Sequence, residues 1–343
     1  MSQTTISFNN WMGANWNLLS NKRLCDLYLP GAHDSSCNKY NYSVRSQVTT
    51  TVSKLPMRLL NILTLGILES VINDWGISQY GDIYFQLNSG IRYLDFRITF
   101  DKDGIIRMHH TWITCLLDEG IAQVKKFLSE NTNECIFIYA KIDYMTTVTD
   151  SQKTAAINAL TSGFGDMCLT YSADYLKKEN NPTLEKLVSM GKRIYIALDS
   201  YYPSEGSILQ DPSIFTNIWC DTPSQYGINN IEGAISYKLE FLQKCIQQVI
   251  QQNVSVFTQT AFAITPNTNM IKQAVIQRLF CCCRPKQTLE TISEQMHQSY
   301  YDFNTQSLLI PQIVCVDYAN PVLVTAIIQK NFTKTFVEHD TIH

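Results

Sequence analysis

Short apolar runs, each closed by polar or turn residues, recur along the chain and alternate with longer stretches of helical periodicity. Eight of these runs read as buried strands: LCDLYLP from Leu24, IRYLDFRITF from Ile91, GIIRMHH from Gly104, CIFIYAKID from Cys135, RIYIALDS from Arg193, NIWCDT from Asn217, VSVFTQTAFAI from Val254 and IVCVDYANP from Ile313. Helices are predicted between them over 118–131, 151–161, 184–191 and 233–253. Strands that are apolar throughout and alternate with helices predict a largely parallel sheet covered on both faces. Eight of them predict an α/β fold, a distorted (β/α)8 TIM-type barrel, as a single domain over 1–343. The rival, an open doubly wound sheet, would show a glycine-rich phosphate loop after a strand, and none follows. Two segments fall outside the pattern, a hydrophobic insertion at about 50–73 and a Cys-rich loop at about 278–287.

A parallel barrel puts its chemistry at the C-terminal ends of its strands. The residues expected on that rim are His33, Arg97, His110, Lys141, Asp199, Asp221 and Asp317. In LYLPGAHDSS the plain reading is a Pro-Gly turn after a strand, with Asp34 or Ser35 capping a helix. The functional reading puts His33 at the mouth of a site. Of the six histidines, His339 and His343 lie in a terminal tail, and His297 sits in a polar helical segment where a solvated role is expected. His33, His109 and His110 fall at strand ends, and strand alternation turns His109 away from the face of His110.

Imidazole titrates near a pKa of about 6.5, so two of them can share acid and base duties near neutrality. Flanking a phosphate, one would take a proton from an attacking oxygen and the other give one to a leaving oxygen. Arg97 could hold the equatorial oxygens in its planar fork. A carboxylate must fix each imidazole tautomer, and Asp34, Asp95 and Asp317 are the candidates. Two other readings stay open. Asp95 and Arg97 could be a structural ion pair, or His33, His110 and the carboxylates could bind Zn²⁺ or Mn²⁺. Arg97 beside those ligands would repel a cation, so no metal and no cofactor are expected.

Charge and cysteine content narrow the partners. With 27 Lys and Arg against 30 Asp and Glu and no basic run, nucleic acid is not an expected partner. Eleven cysteines without a CxxC pair read as reduced thiols in a cytosolic setting. The N-terminus lacks the basic start and apolar core of a signal peptide, so a cytoplasmic or peripheral membrane location is expected. Export by a dedicated system would leave no legible mark.

The stretches LYLPGAHDSS, SQYGDIYFQLNSGIRYLDFRI, MHHTW and VCVDYANP, in this order, resemble the X-domain of phosphatidylinositol-specific phospholipase C, of the bacterial and X-domain-only type. NNWMGANW looks like the entry to the X-domain-only group. The resemblance covers roughly residues 8–145, returns at 313–321 and is faint between. It implies a metal-independent cleavage of a phospholipid headgroup phosphodiester through a cyclic intermediate. His33 matches the general base and Asp317 the carboxylate that orients it. His110 matches the general acid, assisted by Asp34, and Arg97 matches the cation standing where calcium-dependent members hold Ca²⁺. Lys141 matches a substrate-contacting lysine and Asp221 a headgroup-contacting aspartate, and Asp95 is placed with them on the substrate side. Thr111 departs from the glycine common after the catalytic histidine. Asp199 and Ser200 stand where bacterial members place an inositol-binding arginine.

The implied partner is a phospholipid at a membrane surface. Residues 55–72 could lie on the bilayer as an interfacial helix or pack internally, and the segment is too short and interrupted to span. Cys281, Cys282 and Cys283, flanked by Arg278, Arg284 and Lys286, could be acylated or form a plain surface loop. Two rivals remain: an X-domain that binds headgroups or a protein partner without turnover, and a metal-dependent glycerophosphodiesterase or sphingomyelinase-D-like barrel.

Overall fold

Strands buried on both faces need helices on both sides of their sheet, and this chain provides them by alternation. The computed structural model describes residues 6–39, 67–110, 112–142, 148–218, 231–252, 257–263, 275–276, 288–306 and 311–332. Nine strands form one sheet: β1 (Leu29–Ala32), β2 (Tyr93–Phe100), β3 (Ile106–His110), β4 (Trp112–Leu116), β5 (Ile136–Ile142), β6 (Ile194–Leu198), β7 (Phe215–Ile218), β8 (Phe257–Phe262) and β9 (Ile313–Val316). Seven of them are parallel, in the order β6-β5-β2-β1-β9-β8-β7. They form a distorted TIM-type barrel, and among the described residues no ladder joins β6 to β7. Along the free side of β6 the chain comes back twice. Arg193 N donates to Met167 O at 2.7 Å and Leu169 N to Ile194 O at 2.8 Å, and Gln210 N donates to Ile196 O at 2.8 Å. The Gln210 amide then ties those two returns together, donating to Leu169 O at 2.7 Å.

Two strand expectations are corrected. The Gly104 run is no barrel strand: β3 pairs antiparallel with the end of β2 and then with β4, which the sequence reading missed. A parallel crossover needs a dozen or more residues, and only 101–105 separate β2 from β3. That link is a turn in which Asp101 Oδ1 accepts the N–H groups of Asp103 and Ile105, and Gly104 takes φ +78°. The first strand is the other correction. Leu24–Asp26 is a 3₁₀ turn tied to a distant segment, with Cys25 N donating to Asn181 Oδ1 at 3.0 Å. β1 starts at Leu29 and runs through Pro30 and Gly31 instead of ending there. A Cβ on Gly31 would stand 2.9 Å from the Tyr93 ring and 3.2 Å from Cys315 Cα, so only glycine lets β1 come this close.

Below the barrel, at the end away from the rim, buried Arg92 pairs with Glu134 at 2.6 Å and donates to the carbonyls of Phe8 and Asn9. This pins the entry segment across the strand N-termini. On the outside, helix Ile67–Gly76 buries Val71 and Trp75 in a cluster with Met296 and Tyr300 of helix Leu289–Gln306. The described part of the 55–72 segment, 67–72, is the start of helix Ile67–Gly76, and its Val71 faces the protein. Residues 55–66 and Cys281 to Cys283 lie outside the described residues, as do Thr111 and Asp221. Among the described residues, no helix is long and apolar enough to cross a membrane.

Candidate active site

Residues two apart on a strand share a face, so Asp95 and Arg97 of β2 point the same way, toward the turn that follows β1. His33 opens that turn, its N–H donating to Val316 O at 3.0 Å as the last rung between β1 and β9. Three non-glycine residues have positive φ among the described residues: Asp34 at +44°, Ser200 at +57° and Tyr318 at +48°. Each stands two positions beyond the end of a barrel strand, β1, β6 and β9 respectively. Backbone in this region costs of order 1–3 kcal/mol per residue and persists where the surroundings enforce it, typically at functional sites. None of the three caps a helix, so the capping reading of Asp34 gives way to a strained turn.

His33 Nδ1 lies 2.8 Å from Asp317 Oδ1, and Arg97 Nη2 lies 3.0 Å from His33 Nε2. A guanidinium can only donate, so Nε2 is the acceptor and the proton sits on Nδ1, donated to Asp317. His33 is thereby held with the Nε2 lone pair turned into the site, where it meets Arg97. Arg97 Nε stands 2.5 Å from Asp34 Oδ1, while Nε and Nη2 donate to Asp95 Oδ2 at 3.2 and 3.1 Å. Asp95, expected on the substrate side, is buried and braced: it also accepts from Asp34 N at 3.2 Å. On the other side of Asp34, Oδ2 lies 3.2 Å from His110 Nε2, and the two imidazole centroids are 6.2 Å apart. Both Asp34 oxygens are buried and, among the described residues, held by charge contacts without a hydrogen bond.

The surroundings push the two imidazoles apart. Burial alone would lower the pKa of His33, but the negative charges of Asp34 and Asp317 hold it above the ordinary imidazole value. Burial, then the positive charge of Arg97 and His33, hold His110 down at about 3. Asp95 is pulled to about 2 against its burial by Arg97 and Lys141, whereas burial raises Asp34 despite Arg97 and His33. His109 is fully buried on the other face of β3, lowered by burial to about 3, with neither ring nitrogen partnered among the described residues.

His33, Asp34 and Asp95 each offer a ligand atom within 4.8 Å of the others, a spacing that would suit a cation. Arg97 already supplies that charge at contact distance. The remaining rim residues form a second group. Lys141 is in register with Arg97 in the β2–β5 ladder, and Tyr139 Oη donates to Asp199 Oδ1 at 2.7 Å.

Sequence reasoning missed the residues that hold this turn. Gln79 Nε2 donates to both His33 O at 2.7 Å and Val316 O at 3.0 Å, adding a side-chain rung past the last backbone rung of β1 and β9. Ser78 Oγ lies 3.3, 3.1 and 3.2 Å from the His33, Asp34 and Cys37 carbonyls, which share its one proton. Both lie in SQYGD, where the only signal in the sequence is the family resemblance. His297, expected in solvent, is buried against the Asp317 backbone.

The family model described as PI-PLC X 1 matches residues 74–284, a span that contains Arg97 and His110 but neither His33 nor Asp317. Human PI-PLC X domain-containing protein 1 is 24% identical over 240 residues, 69% of this chain and 68% of that protein. A PI-PLC X domain-containing protein of Dictyostelium discoideum is 30% identical over 128 residues, 37% of this chain; the match spans only 20% of that protein's length. Among solved structures, the phosphatidylinositol-specific phospholipase C of Listeria monocytogenes superposes with a TM-score of 0.61 at 18% identity, covering 96% of this chain and 100% of that one. The Staphylococcus aureus enzyme gives a TM-score of 0.60 at 17% identity, covering 96% and 98%. A shared barrel at that identity speaks for the fold, and the matched family model speaks for descent: the chain belongs to the PI-PLC X domain family.

Proposed function

We propose that the chain is a metal-independent phosphodiesterase that cleaves the headgroup of a phospholipid, phosphatidylinositol foremost, as a phospholipase C does. The observation that carries this reading is the pair of oppositely tuned imidazoles, His33 and His110, on either side of Arg97 and Asp34. His33 Nε2 takes the proton of a headgroup hydroxyl next to the phosphate, and that oxygen attacks phosphorus. Arg97 holds the non-bridging oxygens as charge builds on them. The bond from phosphorus to the glycerol oxygen breaks, and His110, steadied by Asp34, gives that oxygen its proton. The products are diacylglycerol and a cyclic phosphodiester. In the free protein His110 is buried beside the Arg97 guanidinium and gives up its proton readily. A phosphodiester anion bound against Arg97 offsets that charge and lets His110 carry the proton it must donate.

On this reading Lys141 and Asp199 face the headgroup from the ends of β5 and β6, and the resemblance adds Asp221, which lies outside the described residues. The rim meets the bilayer, and Tyr202, 86% exposed in the loop after β6, is the type of side chain that settles at a lipid interface. Because the surrounding carboxylates raise His33, kcat/KM is expected to fall as pH drops, with a midpoint above the ordinary imidazole value of about 6.5. A pH–rate profile of the free protein whose acid limb lies well below 6 would remove His33 from the base role.

The deciding assay is a panel of phospholipid vesicles, with and without chelator, followed by phosphorus NMR of the products. Phosphatidylinositol should yield a cyclic phosphodiester at a rate that chelator leaves unchanged. Loss of activity with chelator, restored by one divalent ion, would move the protein to the metal-dependent class. Headgroup binding without product would make it a binding module.

A further inference from the structure

We propose that His297 is a positioning residue for Asp317, pinning from outside the barrel the peptide group that aims this carboxylate at His33. It deepens the reading above, since Asp317 matters only if His33 acts as the base. His297 is 3% exposed on helix Leu289–Gln306, with Nε2 2.9 Å from Asp317 O and Nδ1 2.9 Å from Asn320 Nδ2. Which nitrogen holds the proton follows from the next helix. Asn320 is the N-cap of Pro321–Gln329, and its Oδ1 accepts the N–H of Leu323 at 2.9 Å. Its amide must therefore turn Nδ2, a donor, toward His297. Nδ1 accepts, Nε2 carries the hydrogen, and Nε2–H donates to the Asp317 carbonyl. Burial holds the ring near a pKa of about 4, which keeps this neutral tautomer at physiological pH.

The carbonyl of Asp317 and the N–H of Tyr318 belong to one peptide plane. His297 takes the carbonyl, and Ser78 O accepts the N–H at 2.6 Å. A plane held at both ends cannot rotate, and this fixes Tyr318 at its strained φ of +48° and Asp317 in the direction of His33 Nδ1. Without the donor, a buried carbonyl is left unpaired and the strained turn is free to relax. Displacing a catalytic group by about 1 Å can cost about 10²-fold in rate.

Nitrogen NMR of histidine-labelled protein tests the tautomer without any substitution. His297 should show a proton on Nε2 and a bare Nδ1 at neutral pH. The opposite tautomer or a doubly protonated ring overturns the proposal. Positioning is read from the low-field proton of His33 Nδ1. His297→Leu should broaden or shift that signal and lower kcat on phosphatidylinositol about 10–100-fold with KM nearly unchanged. His297→Gln, whose amide can donate from nearly the position of Nε2, should restore the signal and bring kcat back to within a few-fold. Equal behaviour of folded Leu and Gln variants, or an unmoved signal in both, overturns it. If the parent protein turns over no phospholipid, the proposed function fails while the tautomer and the His33 signal still decide this inference.

Discussion

Replacing His33 with Ala is expected to lower turnover of phosphatidylinositol by at least about 10²–10⁴-fold, and His110→Ala by a similar factor, with each protein still folded. The argument rests on what each ring touches. His33 is locked between Asp317 and Arg97, so truncation removes the proton acceptor and leaves the cation in place. His110 is one-quarter exposed at its side chain and touches Asp34 from the far side, so its loss removes the proton donor without opening the core. His109→Ala supplies the contrast. Its ring is fully buried away from the site, so its removal should lower the melting temperature more than it lowers kcat. Measuring kcat and melting temperature on the three variants separates chemistry from packing. A folded His33 or His110 variant with near-parental turnover would end that residue's assignment.

Arg97→Ala should cost both stability and rate, because one guanidinium serves two buried carboxylates and an imidazole. Removing one partner of a buried pair typically costs about 3–5 kcal/mol, since the other charge stays behind unpaired. Here Asp34 and Asp95 both stay behind. For Asp95 the pH dependence should change sign. In the parent, Asp95 is held at about 2, below its usual value of about 3.9, so its stabilising contribution is present above that value and is lost as pH falls toward 2. In Arg97→Ala, both carboxylates gain protons on folding, so stability should rise as pH falls from 7 toward 4. Turnover should drop by at least about 10²-fold, the scale of a lost transition-state donor. Arg97→Lys should recover more of the melting temperature than of the rate, because an ammonium brings charge without the fork. A variant lacking Arg97 that melts like the parent at pH 7 would show that this cation does not hold the two carboxylates.

What could be read from the sequence were the features with local grammar. Asp95 and Arg97 fall two apart in an unbroken apolar run, so a shared face follows from the pleat alone. Helices such as Leu117–Glu130 and Ile231–Gln252 announce themselves by periodicity and were placed to within a few residues. The misread hairpin was also legible. Asp101 to Gly104 is a turn signature too short for any crossover, although the apolar run after it has the pattern of a barrel strand. The parts that stayed hidden are those made by contacts between distant segments. Nothing local to Gln79 says that its amide will lie across two strand ends, one of them 237 residues further along. His297 sits among polar residues on its own helix and becomes buried only when the turn after β9 is laid against it. Asn320 before Pro321 is a readable cap, but its second hydrogen bond, to His297, is not.

A closed barrel has no edges; here, among the described residues, no ladder joins β6 to β7, and returning chain meets the outer side of β6 instead. Left unpaired, the backbone donors and acceptors of Arg193 to Ile196 would be the kind of template to which a second chain can add. The returns at Met167, Leu169 and Gln210 occupy those groups within the molecule, and the Gln210 side chain buckles the two returns together. Gln210 thus holds both returns against β6 through its backbone and its side chain. Substitutions there should be felt first as self-association on heating or during refolding, while the chemistry of each surviving monomer stays as it was.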